Sequence, residues 1–226
     1  MHPLDNPIWS ALNTQEKNKN LGNDEVGYFS ADVSPFVALP QWNKDSMLKL
    51  FNELPKGRSY STTITKKIKF DASWEVIFEI ILFQMICKKP VYFEKNGLDI
   101  RELSEEHIPE MLTLTSLTKP GPFLNRTIDF GNYYGVFENN RLVSMAGERL
   151  HLEKYSEISA VCTHPEALGK GYAAALMSII LKQIVQSGKA AFLHVRNDNN
   201  RAIKTYERLG FKRRSDMLFT AFKPLK

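Results

Sequence analysis

The sequence predicts a mixed α/β protein in which helices cover a sheet of parallel and antiparallel strands. Three observations carry this. Short apolar runs alternate with helical patterns from residue 98 onward. Ala173, Leu176, Met177, Ile180, Leu181 and Ile184 follow the spacing of one buried helix face. A glycine-rich turn, Gly169-Lys170-Gly171, joins that helix to the apolar run before it. With 43% hydrophobic and 24% charged residues over 226 positions, the chain can bury a core without staples.

Two parts are expected. Residues 1–97 read as a smaller α/β region, with short strands at 36–39, Tyr60–Ile64 and 91–93 and an amphipathic helix at 46–54. Residues 18–24 are polar and read as an exposed loop. The apolar stretch 76–87 reads as a buried core helix stopped by Lys88-Lys89-Pro90. It carries Glu79 and Gln84 and falls short of the roughly 20 residues of a membrane span.

Residues 98–226 form the second part. A strand at 98–103 leads into a helix through Met111, Leu114 and Leu117, with Pro109 confined to its first turn. Pro120-Gly121-Pro122 ends it. Runs at 133–137 and 141–145 flank Glu138-Asn139-Asn140 as a hairpin. A strand at 157–163, the glycine turn and the periodic helix follow, with Gly188 as a left-handed cap. A strand at 191–195, a helix at 200–209 and a strand from Phe211 complete the reading.

Bulk features narrow the function. Only Cys87 and Cys162 are present, which speaks against a disulfide framework and for a reducing compartment. Residues 1–5 have neither the basic stretch nor the apolar run of a signal peptide, so a cytoplasmic, membrane-free protein is expected. The net charge of +5 suits an acidic ligand, yet only Lys212-Arg213-Arg214 is clustered, and nucleic acid is not expected. That cluster reads as a solvated face with some capacity to assist an adenosine phosphate. Cys162 and His164 are too isolated for a zinc set, so no metal is expected.

A strand, a glycine turn and a helix N-terminus make an anion site, because unpaired N–H groups and the helix dipole both favour phosphate. A Walker A loop needs Ser or Thr after its Lys, and Gly171 follows Lys170. A dinucleotide fingerprint fits the glycine spacing, but residues 163–168 make too long an approach for its tight turn.

The third reading is an acyl-CoA pyrophosphate on the N–H groups of residues 169–173. Leu168-Gly169-Lys170-Gly171-Tyr172-Ala173 resembles the pyrophosphate motif of the GNAT acetyltransferase superfamily, with Leu168 where that motif has Arg or Gln. Asn199, Ala202, Tyr206 and Leu209-Gly210-Phe211 are similar to its second motif. The string from Glu157 to Pro165 resembles the branch related to glycine N-acyltransferases.

The resemblance implies a GNAT-like fold over 98–226 and acetyl transfer from acetyl-CoA, or another acyl-CoA, to the amine of a small molecule or amino acid. Leu168, Gly169, Lys170, Gly171, Tyr172 and Ala173 would hold the pyrophosphate, and Val161, Cys162 and Thr163 the pantetheine arm. Asn199 would contact the cofactor or cap its helix. Tyr206 corresponds to the family's general acid. Glu157 stands where some members carry a base acting through water, against an alternative as a salt-bridged strand carboxylate, with Glu148 in reserve. The acceptor pocket is expected around residues 120–126 and 133–149, with the N-terminal part as a further contributor. His151 and His194 read as structural or solvated, and Cys162 as packing rather than a nucleophile. A non-catalytic acyl-CoA-binding regulatory module is the alternative function.

Overall fold

The chain builds a mixed sheet of eight strands, and one parallel pair within it sets up the functional cleft. The structure, a computed structural model, describes residues 2–225. In chain order the elements are α1 (Pro7–Leu12), β1 (Gly27–Tyr28), β2 (Val37–Ala38), α2 (Lys44–Glu53), β3 (Tyr60–Ile64), β4 (Trp74–Cys87), β5 (Asp99–Leu103), α3 (Ile108–Thr118), β6 (Tyr133–Glu138), β7 (Arg141–His151), β8 (Tyr155–Thr163), α4 (Tyr172–Gln186), β9 (Ala190–Arg196), α5 (Asn200–Arg208) and β10 (Phe211–Pro224). The large sheet runs β3-β10-β4-β9-β8-β7-β6-β5, and β1 and β2 form a separate ribbon.

Most expected elements are present within a few residues, with their local causes visible. Asn43 caps α2 by accepting from the Ser46 N–H. Pro109 lies in the first turn of α3. Asn139 and Asn140 turn the β6–β7 hairpin at φ 51° and 60°.

The expected helix at 76–87 is corrected: these residues lie in β4, paired with β10 on one side and β9 on the other. Its β-branched and aromatic residues suit a pleated strand, and a continuous apolar run has no periodicity to separate the two states. The expected strand at 91–93 is also corrected. That segment crosses the α4–α5 side as irregular backbone, where the Val91 N–H bonds the Leu209 carbonyl and the Phe93 N–H bonds Ser178 Oγ. Residues 60–87 thus supply two strands of the same sheet that residues 98–224 complete.

Alternation along β9 assigns the two faces. Ala191, Leu193 and Val195 pack with Leu176, Ile180 and Leu181 of α4. Phe192 faces the other way, into a cluster with Leu4, Ile8, Leu12, Phe29 and Phe36. Each such buried side chain contributes about 1.5–3 kcal/mol of transfer free energy.

β8 and β9 are the parallel pair, matched at Tyr155 with Ala190, Ser156 with Ala191 and Glu157 with Phe192, and no further. Both strands continue, so they diverge. On its other edge β8 bulges: Gly147 faces Ser159 and Met145 faces Cys162, leaving Ala160 and Val161 opposite Ala146 alone. Ala160 takes φ 52° there, a left-handed conformation that costs a residue with a Cβ. The bulge turns the end of β8 away from β9.

Candidate active site

The glycine turn has the backbone of an anion cradle. Gly169 and Gly171 take φ 84° and 80°, which side-chain-bearing residues rarely adopt. A Cβ on Gly169 would meet nothing within 4 Å, so that face of the loop is open. Among the described residues, the backbone N–H groups of 169–174 have no acceptor, and three of them, 172–174, open the first turn of α4. Leu168, Gly169, Gly171, Tyr172 and Ala173 line a groove of about 440 Å³. The Lys170 side chain points elsewhere, its Nζ on Glu138 at 2.8 Å, and the Tyr172 hydroxyl donates to the same carboxylate.

Across the groove, α5 presents Arg201, Lys204 and Arg208, one face of the helix by their spacing. None of the three is in an ion pair among the described residues. Sequence reading missed them, although their period beside the glycine motif carried the signal. The Lys212-Arg213-Arg214 cluster does not border the groove. Arg213 pairs with Asp216, and Arg214 turns inward to Asp5 at 2.6 Å and Gln84 at 2.8 Å.

The groove meets a second cavity of about 1030 Å³, and Thr163 borders both. Val161, Cys162, Asn199 and Tyr206 line its near end, beside the divergence of β8 and β9. The expected segment at 120–126 contributes residues 120–124, and of the 133–149 hairpin Arg149 reaches it. Thr63, Phe78, Ile80 and Leu82 add a wall from the first 97 residues.

Tyr206 projects from α5 and is 7% exposed. Burial raises its hydroxyl pKa above the usual phenol, as does the neighbouring Cys162. The hydroxyl makes no hydrogen bond to another described residue. Asn199 caps α5, its Oδ1 accepting from the Ala202 N–H at 3.1 Å, while also bordering the cavity. Burial pushes the Cys162 thiol up to about 12, so it stays protonated and packs.

Glu157 has no exposed area. Burial alone would raise its pKa, but the Arg149 charge and the hydrogen bonds from Arg149 and His194 hold it down at about 2. Arg149 Nε and Nη2 bind its two oxygens at 2.9 and 2.8 Å, and His194 Nδ1 donates at 2.8 Å. This placement is at odds with a base working through water, because a carboxylate so strongly stabilised has little affinity for a proton. Glu148 is buried, accepts from Ser156 Oγ at 2.5 Å and does not line the large cavity.

His194, read from sequence as structural or solvated, completes a buried network and also borders the large cavity. Gln84 is anchored by donating to the Leu4 carbonyl at 2.8 Å and accepting from Arg214. Its Nε2 therefore also donates to His194 Nε2, at 3.0 Å. The imidazole accepts at Nε2 and donates from Nδ1. No sequence motif announces a chain of contacts drawn from six separate segments.

Among the described residues no group of three or more His, Cys, Asp or Glu side chains is gathered to hold a metal, and no helix is long and apolar enough to cross a membrane.

A family model described as FR47-like protein matches residues 133–220. Mycothiol acetyltransferase of Streptomyces scabiei is 32% identical over 107 residues, which cover 46% of this chain and 35% of that protein. The match thus takes in about a third of that relative's length. The crystal structure of a protein assigned as a GNAT-family acetyltransferase, from Novosphingobium aromaticivorans, is 30% identical with all of both chains covered and a TM-score of 0.91. A GCN5-related N-acetyltransferase from Kribbella flavida shares the fold at 14% identity and a TM-score of 0.66, over 95% of this chain and 94% of that one. From the glycine cradle, the diverging strands and this full-length likeness, the chain belongs to the GNAT family of acetyltransferases.

Proposed function

We propose that the protein transfers an acetyl group from acetyl-CoA, or a related acyl-CoA, to the amine of a small molecule or amino acid in the cytoplasm. The observation that carries this is one cleft running from the unpaired amides of residues 169–174, past Thr163, to the Tyr206 hydroxyl. The residues fit the cofactor. The amides and the α4 N-terminus suit a pyrophosphate, Arg201, Lys204 and Arg208 suit a further phosphate, and the gap beyond Glu157 suits a pantetheine arm. Leu168 supplies no polar side chain but leaves the cradle's backbone donors intact. The similarity of residues 157–165 to the glycine N-acyltransferase branch favours a small acceptor.

Acyl-CoA supplies, when bound, a thioester whose carbonyl carbon accepts an amine. Val161 and Thr163 border the place where the thioester would lie, and a backbone N–H there would polarise its carbonyl. Tyr206 gives its proton to the departing sulfur. Glu157 acts as a positioning residue that sets Arg149 and His194. Among the described residues no carboxylate lines the large cavity, and the His194 Nε2 lone pair is engaged by Gln84. The amine therefore gives up its proton to water, and water returns one to Tyr206 before the next turnover.

A calorimetric titration with CoA on wild type and Gly171→Asp tests the cofactor assignment. Binding to wild type, weakened about tenfold or more in the variant, is expected, since the added carboxylate repels phosphate. Equal affinity in both would remove the cradle from the proposal. Thiol release from acetyl-CoA with an amine panel then separates catalysis from the regulatory-module alternative, which binds CoA without turnover.

A further inference from the structure

The large cavity has a chemical polarity that the reaction alone does not require. Its charged lining residues are Lys119, Arg149 and Arg196, and among the described residues no Asp or Glu joins them. Arg196 is satisfied by Asp198 at 2.6 and 3.0 Å. Lys119 is exposed, sits at the left-handed end of α3 with φ 49°, and forms no ion pair among the described residues.

Arg149 is the informative group. Its Nε–H and one Nη2–H are spent on Glu157, and its Cζ lies over the buried Phe36 ring at 4.8 Å. A guanidinium has five N–H donors. Nη1 has no partner among the described residues and is not among the buried unsatisfied atoms, so it keeps some exposure, and Arg149 lines the cavity. With one edge clamped by a carboxylate that stays ionised, the other is a preset fork for a second carboxylate. Phe78, Ile80 and Phe219 give the same cavity an apolar wall, with Phe78 stacked on Phe219 at 5.9 Å.

We infer that the acceptor is an amino-carboxylate with an apolar side chain, its carboxylate read by the free edge of Arg149 with Lys119 at the mouth. The amine then lies toward Tyr206 and the apolar group against Phe78 and Phe219. This deepens, and rests on, the acetyl-transfer reading.

The test compares matched acceptors on the wild-type protein with acetyl-CoA, following thiol release. Each apolar amino acid is set against its carboxamide and its decarboxylated amine, for example phenylalanine, phenylalaninamide and phenethylamine. A kcat/KM at least about tenfold higher for the acid is expected, the worth of a charged hydrogen bond. Arg149→Lys keeps a cation beside Glu157 but loses the fork. The acid-to-amide ratio of kcat/KM is expected to collapse in it, with KM for the acid raised. Amides or plain amines used as well as the acids would overturn the inference and leave acetyl transfer standing. So would an unchanged ratio in Arg149→Lys. CoA binding with turnover of neither series, across all apolar amino acids, would also overturn it. Absence of CoA binding would instead sink the acetyl-transfer reading and this inference together. Should Arg149→Lys fail to fold, the wild-type comparison decides alone.

Discussion

Arg149 grips Glu157 side-on, with Nε and Nη2 at 2.9 and 2.8 Å from its two oxygens, in a site where the carboxylate has no exposed area. Such a pair is expensive to break, because removing one partner leaves the other charge buried alone. Glu157→Gln should destabilise the fold by about 3–5 kcal/mol, read by denaturant unfolding. The depressed pKa fixes the pH window. Stability from Glu157 is fully present above the ordinary carboxylate value near 4.5 and is lost as pH falls toward about 2. Unfolding followed between pH 7 and pH 2 should show that loss in wild type and not in Glu157→Gln.

Tyr206→Phe removes the one hydroxyl proposed to protonate the leaving sulfur. Turnover should fall about 10²–10⁴-fold, with CoA affinity unchanged by titration. An undiminished rate would assign the ring to packing against Phe211, whose centroid is 6.2 Å away.

Arg201, Lys204 and Arg208 face the groove beside the glycine turn. If they hold the phosphate that distinguishes CoA from its 3′-dephospho form, CoA should bind about ten- to a hundredfold more tightly than dephospho-CoA. Replacing all three by Ala should erase that difference. A preference that survives the triple variant would move the phosphate elsewhere.

The pH–rate profile tests whether an enzyme base exists. With Glu157 locked in its ion pair and no carboxylate on the cavity wall, log kcat/KM should climb with unit slope to the acceptor's own amine pKa. An acceptor with a less basic amine should shift the break down by the same amount. A break fixed near neutral pH for every acceptor would point to a protein group.

What the sequence disclosed was local. The glycine turn, the Asn199 cap and the α4 period are set by residues a few positions apart, and their geometry followed. The strand at 74–87 was hidden because β4 is apolar on both faces and takes its identity from partners more than 100 residues away. Arg149 and His194 were illegible for the same reason. Each is an ordinary polar residue on a strand until the sheet sets β7, β8 and β9 side by side, and Gln84 comes from a segment taken for a helix. Tyr206 fell between the two cases: its motif is local, but its burial depends on Phe211 and on Cys162 across the cleft.

The position of β10 has a consequence for how the chain reaches this state. It is wedged between β3 and β4, pairing Phe222 with Tyr60 and Phe211 with Cys87. During synthesis the earlier hairpins and α4 can assemble first, but β4 lacks one neighbour until residue 224 has emerged. Through that interval the β4 backbone groups that later pair with β10 form an open edge, the kind of surface that exposes an unfinished chain to aggregation.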